Sequence, residues 1–332
     1  MKDLVKLNRR LLSSSELPPC DGPKLRAFEY RDDPIEWLGL AEDCPDTSNS
    51  NRQGYVFKVR MRSRVYALKV FKFFDPATYR WYVDGEPVTD EILGFHTDPF
   101  YAECRAYARL QEAREKQGLK RRDFAECYGF LALKQEDATY LEEDLGIDLW
   151  DAPPNDEYRR RAEGSPVRAI LKDFIASDPV FDKKLLKKML KGVKWINKHD
   201  VLIGDIHPFN YKGGLLVDFG LAWTKPHCRW AALPEHEKMD IHLRDQVQFQ
   251  EMAEDLGFGD DIHATPDFDY REKLRQRKKK LPEHEKTDTH LRDQDQFEEM
   301  AEDLGFGDDV RSTPNVNYKR KTRKRTKKLY RR

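Results

Sequence analysis

Hydrophobic and polar positions in residues 54–73 follow a pattern typical of β-strands. Val, Tyr and Phe dominate the segment GYVFKVRMRSRVYALKVFKF, and these residue types favour strands. We predict strands over Tyr55–Met61 and Val65–Phe73, joined by a short turn near Arg62–Ser63. Two further short strands are predicted over Phe124–Leu133 and Ala138–Leu141.

Three other segments show helical patterns. A helix is predicted over Phe100–Ala113, and a second over Lys184–His199 has an apolar stripe with lysines on its other face. The third begins at Pro234, which suits a first helical turn, and ends before Gly257, which suits a C-cap. The two apolar stripes consist of Leu186, Met189, Leu190, Val193 and Ile196, and of Leu243, Val247, Met252 and Leu256.

The segment VLIGDIHPFNYKGGLLVDFGLAW carries the candidate chemistry. Asp205 and Asn210 are five residues apart, and a short predicted strand then leads into Asp218-Phe219-Gly220. This spacing is that of the catalytic loop and D-F-G motif of protein kinases. Phosphoryl transfer needs a carboxylate that orients or deprotonates the attacking hydroxyl, a role assigned to Asp205. It also needs oxygen ligands for Mg²⁺, a role assigned to Asn210 and Asp218.

Upstream residues extend the same pattern. Gly54 and Val56 form G-x-V, and A-x-K follows with Ala67 and Lys69. In kinases such a hairpin covers the phosphates of ATP, the lysine reaches them, and a glutamate of the next helix, here Glu103, pairs with the lysine. The alternative interpretations are a surface lysine on an edge strand and a glutamate favoured by the helix dipole alone.

Several positions depart from the kinase pattern. Asn49 and Asn51 align with the first two glycines of the phosphate loop, which leaves one glycine there. Ile203 and Gly204 stand where the catalytic loop of kinases has histidine and arginine. No A-P-E motif follows D-F-G, and there is no room for the usual helical substrate-binding subdomain.

Four segments together resemble the fungal family named for the Sim4 kinetochore subcomplex, a kinase-like family. They are LPPCDGPKLRAFEY, GYVFKVRMRSRVYALKVFKF, PFYAECRAYARL and IGDIHPFNYKGGLLVDFGLAWTKPHC, and the resemblance covers residues 17–257. It implies an α+β, two-lobed protein-kinase-like fold with a truncated C-lobe, and a kinetochore or centromere role. The motif match carries over from kinases the residues Lys69, Glu103, Asp205, Asn210 and Asp218, with ATP and Mg²⁺ as cofactors.

The C-terminal third consists of a tandem repeat, residues 233–280 and 281–328. The first 29 positions of the two copies share 25 identical residues. Charged residues make up 36% of the chain and its net charge is zero, but acidic and basic blocks alternate through this region. We predict a charged helical or disordered tail in which the second copy is mostly an exposed element that the packed fold does not need. Residues 310–332 carry eleven bases and no acid, which indicates nuclear import or sequence-blind contact with nucleic acid.

Cysteine and histidine spacing predicts neither disulfides nor a zinc knuckle. The five cysteines include no C-x-x-C pair, which favours a reduced intracellular compartment. His236 and His242 are six residues apart, which is not a ligand spacing on one helix face. No apolar run is long enough to cross a bilayer and no signal peptide is recognised, so no membrane partner is predicted.

The predicted organisation is an N-terminal extension over 1–16, a kinase-like domain over 17–257 and a tail over 258–332. Within the domain, the N-lobe is predicted to end near 141 and the interlobe hinge to run through LEEDLG at 141–146. Two functions stay open. One is a kinase-like ATP-binding protein that serves as a pseudokinase-like interaction subunit for kinetochore or chromatin proteins in the nucleus. The other is an atypical Mg-ATP phosphotransferase, and the cytoplasm is the alternative location.

Overall fold

The computed structural model describes residues 17–18, 20–41, 53–83, 88–118, 122–150 and 154–264. The chain divides into two compact units, Met1–Ala264 and Thr265–Arg332. The second unit, with the second repeat copy and the basic tail, lies outside the described residues, as do Asn49 and Asn51. What the sequence predicts for these segments, and for the domain boundaries, stays a prediction.

An antiparallel five-stranded sheet forms the N-terminal part of the fold, in the order β1-β2-β3-β5-β4. Along β2, buried residues alternate with half-buried ones, whereas β3 is buried on both faces because Leu68 and Val70 pack into one apolar cluster and Phe71 into another. The predicted turn at Arg62–Ser63 is confirmed. The strands are β1 Glu36–Leu40, β2 Gly54–Met61, β3 Arg64–Phe71, β4 Cys127–Ala132 and β5 Arg168–Asp173.

The predicted helices over Phe100–Ala113 and Lys184–His199 are confirmed as α2 (Pro99–Lys116) and α5 (Lys183–Lys198). Among the helices of the described residues, none has an apolar stretch that would span a bilayer. The α-helices are α1 Asp90–Thr97, α2 Pro99–Lys116, α3 Gln135–Thr139, α4 Glu157–Ala162, α5 Lys183–Lys198, α6 Cys228–Ala232 and α7 Glu235–Asp255. The 3-10 helices are Pro76–Val83 and Pro208–Asn210, and a π-helix spans Tyr140–Asp144.

The predicted strand over Ala138–Leu141 was wrong, because this segment is helical. Helix α3 runs directly into the π-helix, and Ala138 and Leu141 are buried against the sheet as part of its apolar core. The fifth strand is β5 instead, which pairs with both β3 and β4. The N-terminal sheet continues beyond the predicted hinge at 141–146, since β5 follows it at Arg168–Asp173, and the boundary between the lobes stays a prediction.

Short strand pairs and two long helices build the C-terminal part. Strand β6 (Val201–Leu202) pairs with β9 (Trp223–Thr224), and β7 (Tyr211–Lys212) pairs with β8 (Leu215–Leu216). All five residues of the predicted α5 stripe are buried. In α7, Leu243 and Met252 are buried as expected, and the fully buried Phe249 was missed.

Candidate functional site

Lys69 and Glu103 form a buried ion pair between β3 and α2. Lys69 Nζ lies 2.8 Å from Glu103 Oε2. Lys69 is 3% exposed and Glu103 is 0% exposed, so the alternative of a surface lysine is wrong. The pair directs the lysine toward the C-terminal part of the fold.

A second buried lysine contacts the same carboxylate. Lys172 on β5 donates from Nζ to Glu103 Oε1 at 2.7 Å and to the carbonyl oxygen of Val217 at 2.7 Å. Sequence reasoning missed Lys172 because β5 itself was not predicted. A lysine within the otherwise apolar run AILK was the available signal, since a buried ammonium needs an anionic partner.

Asp218 joins these residues through Lys69. Lys69 Nζ lies 2.8 Å from both Oδ1 and Oδ2 of Asp218, and the Gly220 amide donates to Oδ1 at 2.7 Å. Burial raises the pKa of Asp218, but Lys69 and Lys172 outweigh burial and lower it. Burial lowers the pKa of Lys69, and the carboxylates of Asp218 and Glu103 outweigh that effect and raise it. We call Lys69, Lys172, Glu103 and Asp218 the lysine–carboxylate cluster.

A buried salt bridge fixes the start of the helix that carries Glu103. Asp98 caps α2 by accepting from the Phe100 amide at 2.9 Å, and its other oxygen pairs with Arg168 of β5. Pro99 occupies the first helical position, where its missing N–H is no loss. Arg168 thus ties α2 to the sheet and sets where Glu103 can reach.

The catalytic-loop candidates lie together beside Asp218. Asn210 Nδ2 donates to Asp205 Oδ2 at 2.8 Å and to the Asp205 carbonyl oxygen at 3.2 Å. The Val217 amide donates to the Asn210 carbonyl oxygen at 2.9 Å, which places Asn210 next to the strand that ends at Asp218. Asp205 is exposed, so its carboxylate faces solvent.

A buried aspartate of the first repeat copy holds the backbone of this loop. Asp245 on α7 is 0% exposed. It accepts from the amides of Ile203 at 2.7 Å and Gly204 at 2.9 Å, and from Asn197 Nδ2 at 2.6 Å. The repeat helix is therefore part of the site's framework, which sequence reasoning did not foresee. The signal was an aspartate with apolar residues four positions away on either side, Ile241 and Phe249, which lie on the same face of a helix.

Gly204 is required by the backbone. Its φ is +86°, and a Cβ there would meet the Leu221 carbonyl oxygen at 2.5 Å, so an arginine at this position is incompatible with this conformation. The same Cβ would lie 3.2 Å from Nη2 of Arg244 on α7. The guanidinium of Arg244 therefore lies beside the loop, although Gly204 itself stands where kinases have an arginine.

Phe219 anchors the D-F-G turn in the core. It is 1% exposed and its ring lies edge-on to Tyr107 of α2 at a centroid distance of 5.0 Å. Ile203, which stands where kinases have histidine, is buried in the same apolar cluster. An aliphatic residue thus fills that position by packing.

The remaining candidate residues lie on the sheet next to Lys69. Val56 pairs directly with Lys69 across β2 and β3, and Ala67 precedes Lys69 by two residues, so the three share one face. A side chain at Gly54 would collide with the carbonyl oxygen of Val70, so glycine allows the close strand pairing there. The shared face offers small apolar groups beside an ammonium.

This set of residues fits Mg-ATP in its chemistry. Asn210 donates through Nδ2, which leaves Oδ1 as an oxygen ligand, and its backbone carbonyl accepts from Val217, the residue before Asp218. Mg²⁺ prefers carboxylate and amide oxygens as ligands. Lys69 suits phosphate, and Val56 and Ala67 suit a base. A Cβ at Gly220 would collide with Oε1 of Gln53, so the loop before β2 reaches the D-F-G turn.

The sheet order, the Lys69–Glu103 pair and the paired catalytic and D-F-G loops define a protein-kinase-like fold. The sequence profile described as Kinetochore Sim4 complex subunit FTA2 matches residues 13–223, and the chain belongs to this family.

Among solved structures, the chain is similar to "Structure of vaccinia related kinase 3", with 9% sequence identity and a TM-score of 0.33. The match covers 66% of this chain and 56% of that chain, so it spans little more than half the length of that kinase. No curated protein matches the chain.

Proposed function

We propose that the chain acts at the kinetochore as a pseudokinase-like interaction subunit, in which the former nucleotide site serves to hold the fold together. Its family supplies the kinetochore proteins as the class of partner and the nucleus as the place of action. The observation that carries the proposal is the lysine–carboxylate cluster.

The cluster is balanced without a ligand. Two ammonium groups face two carboxylates, and both oxygens of Asp218 accept from Lys69. A buried charge that loses its partner costs several kcal/mol, on the order of 3–5 kcal/mol. A chain with no catalytic activity would therefore still need carboxylates beside the buried ammonium groups of Lys69 and Lys172, and Glu103 and Asp218 supply them. The presence of Lys69, Glu103 and Asp218 can therefore be explained by folding alone.

The second candidate function is an atypical phosphotransferase, and the exposure of Asp205 favours it. In that case Asn210 and Asp218 would hold Mg²⁺, Lys69 would hold phosphate, and the β2–β3 face beginning at Gly54 would cover the nucleotide. Mg-ATP would supply the phosphoryl group. Asp205 would orient or deprotonate the acceptor hydroxyl, for which its exposed carboxylate has room.

A nucleotide-binding assay distinguishes a chain that binds Mg-ATP, as the phosphotransferase must, from a chain that does not. Ligand at a hundred times its dissociation constant stabilises a fold by about 2.7 kcal/mol. The melting temperature of the full chain is measured with ATP and Mg²⁺, with ATP and EDTA, and without nucleotide. The interaction-subunit proposal expects the same melting temperature in all three samples.

A transfer assay provides the second arm. The full chain is incubated with labelled ATP, Mg²⁺ and a panel of protein and small-molecule acceptors. Asp205→Asn is the test variant because Asp205 is exposed and its loss should not unfold the protein. Asp255→Asn, an exposed acid on α7, is the matched control. Transfer that is lost with Asp205→Asn and kept with Asp255→Asn would overturn the proposal in favour of the enzyme.

The location is tested in cells. A fluorescently tagged chain is expected in the nucleus, at foci that coincide with a centromere marker. Deletion of residues 310–332, which hold eleven bases, is expected to reduce nuclear accumulation. A tagged full chain that stays in the cytoplasm would contradict the nuclear assignment.

A further inference from the structure

Two histidines and a cysteine meet away from the lysine–carboxylate cluster. His96 lies in the last turn of α1, and His227 and Cys228 lie at the start of α6. One ligand atom from each of the three lies within 4.8 Å of the others. Sequence spacing predicted no such set, because His96 and His227 are 131 residues apart.

Both ring nitrogens of His227 are hydrogen-bonded, and these bonds make Nδ1 the nitrogen that carries the lone pair. Its Nε2 lies 3.0 Å from the His96 carbonyl oxygen, and because a carbonyl can only accept, Nε2 carries the proton. In the neutral ring, Nδ1 is then the acceptor, and it accepts from the Arg229 amide at 3.2 Å, so a metal ion at Nδ1 would replace this capping hydrogen bond. A ring N–H held by a backbone carbonyl is the usual second-shell arrangement of a metal-binding histidine.

His96 supplies an independent sign of a missing partner. Its Nδ1 is buried and has no hydrogen-bond partner among the described residues. A buried polar atom without a partner costs roughly 1–3 kcal/mol, so it calls for a physical explanation. A metal ion bound to that lone pair would remove the cost.

The surroundings keep both imidazoles in the form that binds metals. Burial, with a contribution from Arg105, lowers the pKa of His96 to about 3. Burial lowers the pKa of His227 far below its usual range. Burial raises the pKa of Cys228, while Arg229 and Arg105 lower it, and a bound metal would itself deprotonate the thiol.

We propose that His96, His227 and Cys228 bind a zinc ion. Zinc is the metal that imidazole and thiolate ligands favour together in proteins. Three protein ligands leave the fourth tetrahedral position to a water molecule.

The site would join two segments that the candidate functional site depends on. His96 lies two residues before Asp98, the cap of the helix that carries Glu103. His227 follows β9, the strand that comes after the D-F-G turn. A zinc ion would therefore link the Glu103 helix to the segment downstream of Asp218.

The first test uses the unmodified full chain. The protein is stripped with a chelator, titrated with Co²⁺, and followed by absorption. We expect one Co²⁺ per chain, a thiolate-to-cobalt charge-transfer band and the intense visible bands of tetrahedral coordination, all displaced by one equivalent of Zn²⁺. A titration that shows no thiolate band overturns the proposal without any variant.

Variants identify the ligands. Cys228→Ser should remove the charge-transfer band. His96→Asn and His227→Asn should each lower zinc affinity by more than about 100-fold, since loss of a second-shell partner alone costs 10–100-fold. Cys20→Ser and His199→Gln change the same residue types outside the set and should leave zinc affinity unchanged. Equal zinc affinity in wild type and all three ligand variants, with circular dichroism showing that each is folded, would refute the site.

Discussion

Replacing Asp245 by alanine tests whether the repeat helix holds the catalytic loop. The Asp245 carboxyl group is fully buried and accepts from two backbone amides, those of Ile203 and Gly204, and from Asn197 Nδ2. Alanine removes every one of these acceptors and leaves the donors in place. The substitution therefore acts directly on the hydrogen bonds that join α7 to the catalytic loop.

The expected cost follows from those donors. A buried donor that loses its partner costs about 1–3 kcal/mol, so three of them amount to roughly 3–9 kcal/mol if they stay dry. Water that enters the space left by the side chain lowers this toward about 3 kcal/mol. Single domains are stable by about 5–15 kcal/mol, so the loss is a large part of the total.

Urea unfolding followed by tryptophan fluorescence measures the effect. With an m-value of about 3 kcal/mol/M, a loss of about 3 kcal/mol moves the midpoint down by about 1 M. Asp255→Ala, an exposed acid on the same helix, is the matched control and should change stability by less than about 0.5 kcal/mol.

The repeat offers an internal control as well. The second copy has an aspartate at the matching position, Asp293. We expect Asp293→Ala to leave the midpoint unchanged. The reasoning is refuted if Asp245→Ala costs less than about 1 kcal/mol, the lower bound for even one buried donor, or if stability falls only when Asp245 and Asp293 are both replaced.

Three further predictions concern the same framework. Lys172→Met removes one of two cations from the buried Glu103 and should lower the unfolding free energy by about 1–3 kcal/mol in urea titrations; no change would argue against its role. Gly204→Ala should lower the unfolding free energy by at least about 2 kcal/mol more than Gly257→Ala in the same assay. Both glycines have φ near +87°, but only a Cβ at position 204 would meet backbone atoms, so equal losses of stability would exclude the clash. The lowered pKa of Asp218 means that its ionised form contributes stability fully above about pH 4 and loses it as pH falls through the folded-state pKa. The stability gap between wild type and Asp218→Asn should therefore shrink between about pH 5 and pH 2, and a gap independent of pH would contradict the sign.

Prediction from sequence worked where spacing along the chain fixes geometry. Asp205, Asn210 and Asp218 lie on one loop, a tight strand pair and the turn that follows, so their proximity follows from short connections. The A-x-K spacing puts Lys69 and Ala67 on the same face of the strand. The sequence left open whether that face is buried, and the structure shows that Lys69 is.

Prediction failed where the secondary structure of a segment depends on contacts with residues far away in the sequence. Residues 138–141 are mostly apolar and short enough to pass for a strand, but they are helical, and Ala138 and Leu141 are buried in the apolar cluster of the sheet. The true fifth strand, β5, is bounded by charged residues and was passed over. Propensity is a weak guide for such short segments because tertiary contacts override it.

The sequence by itself determined which functional groups the chain contains. It also determined which of them lie close together because short connections join them within the kinase motifs. The tertiary structure alone decided their partners. Lys172 reaches Glu103 across 69 residues, Asp245 reaches the Ile203 amide across 42, and His227 meets His96 across 131. The physical reason is that burial makes a charged or polar group take a partner, and which partner is at hand depends on how the helices and sheet pack.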